Sequence, residues 1–167
     1  LAQLARQVCL PGRRRAREAG DRRALAAATL NMITLCGAKP IFVDIHYDTL
    51  NINADLIKEK ITEKTKVIVP VHFAGAPVDM DKILGIAKKY DLFIIEDAAH
   101  GLGTYYKGVH VGGFSHCAIF SFHPLKNITT GEGGMITHTA CALALYPSVV
   151  DKVRWEEIYA VIGVQSE

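Results

Sequence analysis

Strand-type and helix-type signals alternate along the middle of this chain, and that alternation limits its fold more than any other feature. Pro40-Ile-Phe-Val-Asp-Ile45 is a β-branched and aromatic run. It is followed by Asn53, a good N-cap, and a helical stretch over residues 54–61. Lys66-Val-Ile-Val-Pro-Val-His72 is the second strand signal. Asp79 then caps a helix whose Met80, Ile83, Leu84 and Ala87 recur at i, i+3, i+4 and i+7, which buries one face. Leu92-Phe-Ile-Ile-Glu-Asp97 and Cys117-Ala-Ile-Phe-Ser-Phe122 are the third and fourth strand signals, and residues 25–36 can form a helix closed by Gly37. The expected fold class is α/β, a mostly parallel sheet with flanking helices.

At 167 residues the chain is long enough for one domain with a real core and short for two. Half of it is hydrophobic and 22% is charged, which suits a globular protein and not a disordered one. The net charge of +2 gives no argument for a nucleic-acid partner. Cys9, Cys36, Cys117 and Cys141 are irregularly spaced, with no Cys-x-x-Cys pair and no His cluster at zinc spacing. We therefore expect a reduced, cytoplasmic chain without a metal. No apolar run approaches the roughly 20 residues of a membrane span, and the arginine-rich start lacks the apolar stretch of a secretory signal.

Basic residues divide the chain into three zones. Seven arginines lie in the first 23 residues, whereas residues 25–138 contain none and take their positive charge from lysine. Residues 1–26 are accordingly expected to be an atypical basic segment, either a disordered basic arm or sequence foreign to the domain, as from a misread frame or a truncated gene product. Residues 27–138 would form the domain core. Residues 139–167 form an atypical C-terminal segment, with a weak helix signal over 140–145, a break at Pro147 and a second helical stretch over 149–160.

In open α/β sheets, ligands collect beyond the carboxyl ends of the strands. Here those ends read Glu96-Asp97-Ala-Ala-His100 and Ser121-Phe-His-Pro-Leu-Lys126, followed by the glycine-rich Thr129-Thr-Gly-Glu-Gly-Gly134. An acid, an imidazole, a hydroxyl and a lysine would converge on one edge. Pyridoxal phosphate needs such a set: an amine to join it covalently and shuttle a proton, a carboxylate to keep its pyridine nitrogen protonated, and hydroxyls for its phosphate. Lys126, Asp97 and Ser121 supply these three groups. Singly, such a lysine is usually a solvated charge and such an aspartate a helix cap; their order and spacing together are what point to the cofactor.

Four stretches, Gly37-Ala-Lys-Pro-Ile-Phe-Val-Asp-Ile45, Val69-Pro-Val-His-Phe-Ala-Gly75, Ile95-Glu-Asp-Ala-Ala-His100 and the long run from Phe120 through Lys126 to Gly134, resemble the DegT/StrS family of sugar aminotransferases. The likeness covers roughly residues 26–138. It implies the large domain of a fold-type-I enzyme, with Lys126 as the Schiff-base lysine, Asp97 on the pyridine nitrogen, His100 by the ring near its 3-hydroxyl, and Ser121 on the phosphate. It also implies transfer of an amino group from glutamate to a nucleotide-linked keto sugar, most like the branch acting on 4-keto sugars, in a homodimer. The family's phosphate-cradling turn and small domain have no counterpart here, so we expect a fragment that carries the cofactor lysine and does not turn over alone.

Other readings account for less of the sequence. A related branch dehydrates keto sugars and has histidine in place of the lysine, so Lys126 argues against it. A non-catalytic protein that binds the cofactor is compatible with every motif. A nicotinamide fingerprint at Gly101-Leu-Gly103 fails at Tyr106, and a metal site on Asp97, His100 and His116 lacks ligand spacing.

Overall fold

The computed structural model describes residues 27–138 and 159–163. Its helices are α1 (Ala27–Leu35), α2 (Ala54–Lys60) and α3 (Met80–Tyr90). The main sheet contains β1 (Lys39–Val43), β2 (Thr65–Val69), β3 (Phe93–Asp97), β6 (Cys117–Ser121), β7 (Gly134–His138) and β8 (Tyr159–Gly163). A separate hairpin pairs β4 (Tyr105–Tyr106) with β5 (Val109–His110). The spatial order of the main sheet is β1-β8-β2-β3-β6-β7. All neighbours are parallel except β7, which runs antiparallel to β6 at one edge. The mostly parallel α/β sheet expected from the sequence is what forms.

Local chemistry sets the helix limits. The Asn53 side chain accepts the Asp55 N–H at the start of α2, and Asp79 accepts the Lys82 N–H at the start of α3. Helix α1 ends in a Schellman motif: Gly37 takes φ +78°, its N–H donates to Thr34 O, and the Ala38 N–H donates to Ile33 O. Residues 25 and 26, where the sequence starts this helix, lie outside the described residues.

Strand β8 corrects the sequence reading. Residues 149–160 carry a helical pattern, yet Tyr159 and Ala160 begin a strand. Its Val161 and Ile162 pair with Ile41 and Phe42 on one side and with Ile68 and Val69 on the other. A central strand gains two ladders of backbone hydrogen bonds, and those non-local bonds outweigh a short local helix signal. The helix signals over 140–145 and 149–158 fall outside the described residues.

Side chains alternate across a strand, so Ile94 and Glu96 share one face of β3 while Ile95 and Asp97 share the other. Helices α2 and α3 cover the first face. Ile57, Met80, Ile83, Ile68 and Ile94 are all at most 1% exposed and form one cluster. Each contributes about 1.5–3 kcal/mol by burial. Helix α1 meets the opposite face, because its Thr29 hydroxyl donates to Asp97 Oδ2 at 2.5 Å. The two faces thus differ in kind: one is an apolar core, while the other carries Asp97 at its carboxyl end. Among the described residues no helix is long and apolar enough to cross a membrane.

Candidate active site

Asp97 closes β3 and Ser121 closes β6, neighbouring parallel strands in which Asp97 stands opposite Ile119. Ser121 lies two residues beyond Ile119, on the same face. The chain after β3 turns at once, with Ala98 N–H held by Ile119 O and Gly101 N–H by Ala98 O, so that His100 stays beside the strand ends. After β6, the Lys126 N–H donates to His123 O at 2.9 Å and turns the lysine back toward β3. Asn127 ties the two loops together by donating to His100 O at 3.4 Å and Leu102 O at 3.3 Å.

Lys126 Nζ lies 2.7 Å from His100 Nε2. Other lysines meet acids: Lys82 pairs with Asp55 and Lys107 with Asp81. Lys126 meets an imidazole instead, and both partners are half-buried. Burial pushes the His100 pKa below its ordinary value and the Lys126 charge pushes it further, against the opposing pull of Asp97. Asp97 accepts the Thr29 hydroxyl on Oδ2 and the Ala99 N–H, at 3.2 Å, on Oδ1. The structure therefore brings Lys126 and His100 into contact with Asp97 close enough to act on the imidazole. Ser121 stands apart from that contact, its hydroxyl accepting the His123 N–H at 3.4 Å at the start of the turn that carries Lys126.

Glu96, one residue before Asp97, faces the other way and is fully buried. His72 Nε2 lies 2.9 Å from its Oε2, which also accepts the Gly112 N–H at 3.0 Å. The Ser115 N–H and hydroxyl donate to Oε1 at 3.1 and 2.5 Å. Because His72 Nδ1 accepts the Val78 N–H, the ring proton belongs on Nε2, facing the carboxylate. Burial alone would raise the Glu96 pKa, but the bonds from His72, Ser115 and Gly112 outweigh it and hold the carboxyl below its ordinary value. The sequence reading took Glu96 only as part of a strand end, although period-2 alternation already placed a carboxylate on the buried face. Thr29 and Asn51 also escaped it, and nothing local in the sequence marks either.

The donor set fits a phosphorylated pyridine aldehyde. It offers an amine that meets no acid, a half-buried carboxylate for a protonated ring nitrogen, a hydroxyl at a strand end and an imidazole between them. The rival metal set of Asp97, His100 and His116 is not brought together. His116 sits toward the start of β3, its Nδ1 accepting the Ile94 N–H and its ring tilted on Phe93 with centroids 4.2 Å apart. Among the described residues no three His, Cys, Asp or Glu side chains gather as a ligand set.

The profile of the DegT/DnrJ/EryC1/StrS aminotransferase family matches residues 26–149. The uncharacterized protein MJ1066 of Methanocaldococcus jannaschii is 58% identical over 111 residues, which is 66% of this chain and 29% of that protein. The aminotransferase from Psychrobacter cryohalolentis superposes with a TM-score of 0.68 at 43% identity, over 71% of this chain and 30% of that one. The putative sugar aminotransferase Spr1654 of Streptococcus pneumoniae, in its PLP form, gives a TM-score of 0.64 at 39% identity, over 78% of this chain and 36% of that one. This chain thus spans about a third of the length of the proteins it resembles. With the fold, the order of its motifs and the profile in agreement, the chain belongs to the DegT/DnrJ/EryC1/StrS aminotransferase family.

Proposed function

We propose that the chain carries the cofactor-lysine portion of a pyridoxal-phosphate aminotransferase that moves an amino group from glutamate to a nucleotide-linked keto sugar, a 4-keto sugar by its closest motif likeness. The observation that carries the reading is the 2.7 Å contact between Lys126 Nζ and His100 Nε2 at the carboxyl ends of β3 and β6, beside Asp97. Bound pyridoxal phosphate supplies an electron-withdrawing ring that stabilises the charge left when an amino acid loses its α-proton. In this proposal Lys126 Nζ would bind the cofactor and, once displaced by the amino donor, would take the α-proton and return it to the carbon on the far side of the transferred nitrogen. The Asp97 carboxylate, fixed by Thr29 and Ala99, holds the proton of the pyridine nitrogen. His100 orients the amine and shields one side of it from water, and the Ser121 hydroxyl binds phosphate. Assembly as a homodimer and residence in the cytoplasm belong to the same proposal, resting on the family likeness and on cysteine usage respectively.

The test is spectroscopic. Pyridoxal phosphate added to the purified chain should give the visible absorbance band of a cofactor joined to lysine. The band should be lost in Lys126→Ala and should bleach when glutamate is added. A band that is absent, or indifferent to Lys126, sinks the reading. One that forms on Lys126 and ignores glutamate favours a protein that binds the cofactor without transferring amines.

A further inference from the structure

The side chain of Asn51, in the connection between β1 and α2, is far from Lys126 in sequence and only 4% exposed. Its Oδ1 accepts the Phe73 N–H at 3.1 Å, while Nδ2 donates to Ala76 O and Pro77 O, each at 3.1 Å. Rotating the amide by half a turn would set donor against donor and acceptor against acceptors, so the network settles its orientation. One buried amide thus clamps both sides of the short 3-10 turn Phe73–Gly75. The Thr104 hydroxyl adds a bond to Gly75 O at 2.8 Å, and His72, just before the turn, is anchored on Glu96. Inside this clamp Ala74 takes φ +51°, a left-handed conformation costly for a residue with a Cβ. The backbone N–H so aimed donates to His100 Nδ1 at 3.4 Å, and the Phe73 ring meets the His100 ring edge-on, with centroids 6.1 Å apart.

His100 therefore has a donor at each ring nitrogen, Ala74 N–H at Nδ1 and Lys126 Nζ at Nε2. A neutral imidazole carries one proton and can accept at one nitrogen only. The two neighbours are not equivalent, because a backbone amide cannot give up its proton and an amine can. We propose that Asn51 is a positioning residue for the Lys126–His100 pair: by clamping the turn it directs Ala74 N–H at His100 Nδ1, which fixes the ring proton on Nε2, facing the lysine. His100 then donates to Lys126 Nζ and holds the amine's lone pair in a defined direction. The burial that favours the uncharged imidazole works in the same sense and Asp97 works against it, and the donation applies to Lys126 as a free amine, since an ammonium has no lone pair to accept with. The value of this arrangement for amine transfer rests on the function proposed above. Its test does not, since it is made on the chain without cofactor.

Long-range proton–nitrogen NMR correlation reports which ring nitrogen of a histidine is protonated, and His100→Gln identifies the His100 signals. In the unmodified chain, brought above the ordinary lysine pKa of about 10.4 so that Lys126 is a free amine, Nδ1 should show the shift of an unprotonated nitrogen and Nε2 that of a protonated one. Asn51→Ala should collapse this difference toward an exchange average. Asn53→Ala, which removes the α2 cap two residues away without touching the turn, should leave it intact. Thr104→Val, losing the bond to Gly75 O, gives a milder loosening that decides the matter if Asn51→Ala does not fold. A proton on Nδ1 in the unmodified chain, or a preserved Nε2–H form in a folded Asn51→Ala variant, overturns the proposal. If the tautomer is as stated and cofactor fails to bind, the function is wrong and the positioning stands.

Discussion

Glu96 and Asp97 are consecutive carboxylates on one strand and have opposite circumstances. Glu96 faces the covered side of the sheet and accepts from His72, from Gly112 and twice from Ser115, so every direction in which it could receive a ligand is taken. Asp97 faces the side met by α1, accepts from Thr29 and Ala99, and remains half-open beside His100 and Lys126. A buried carboxylate saturated by its own chain holds structure together. One that is fixed from behind and open in front is available for chemistry. The comparison predicts that damage on the Glu96 side will be read mainly in stability, and damage on the Asp97 side mainly in ligand binding.

The strongest way to break the comparison is Glu96→Ala. It strands the donors of His72, Gly112 and Ser115 in a dry interior and should cost about 3–5 kcal/mol in urea unfolding; a loss below about 1 would mean the network is ornamental. Gly112→Ala probes the same node by shape. Gly112 has φ +89°, and an added Cβ would stand 2.7 Å from Phe120 Cζ, so about 1–3 kcal/mol should be lost. On the other side, Thr29→Val deletes the hydroxyl on Asp97 and should cost about 1–2 kcal/mol, while weakening cofactor affinity by loosening the carboxylate. Lys126→Ala sharpens the contrast most: unfolding should change by less than about 0.5 kcal/mol, yet the cofactor band should vanish.

Acid should act on both sides in the same direction. His100 and Glu96 both have lowered pKa values in the folded chain, so the unfolded chain binds protons more readily at each. Stability contributed by His100 is present above about pH 6.5 and lost as pH falls below it. That from Glu96 is present above about pH 4.5 and lost below. Urea titrations at descending pH should show both losses, and Lys126→Ala, which removes one cause of the His100 shift, should shrink the first. A stability that rose on acidification would contradict both assignments.

The sequence revealed the elements that are built from local chemistry. Asn53 and Asp79 act as the caps their positions suggested, and Gly37 ends α1 as its place after residue 36 implied. The parallel arrangement followed from the alternation, and the site edge from where Asp97, His100, Ser121 and Lys126 stood relative to strand ends. Non-local pairing was not legible. The insertion of β8 between β1 and β2 depends on partners about 100 residues away in sequence, and no period within residues 149–160 announces it. The same reason hid Asn51 and Thr29. A polar side chain in a loop or a helix gains its role from what it meets, and Phe73 and Asp97 are each distant in the chain.

The most direct test of the central claim is to reduce the mixture of chain and pyridoxal phosphate with borohydride, digest it, and map the pyridoxyl group by mass spectrometry. The account predicts that the label falls on Lys126, and that Lys58, Lys82 and Lys89 on the helical surface stay unmodified at stoichiometric cofactor. Label spread over the surface lysines in proportion to their exposure, with Lys126 no richer than they are, would contradict it.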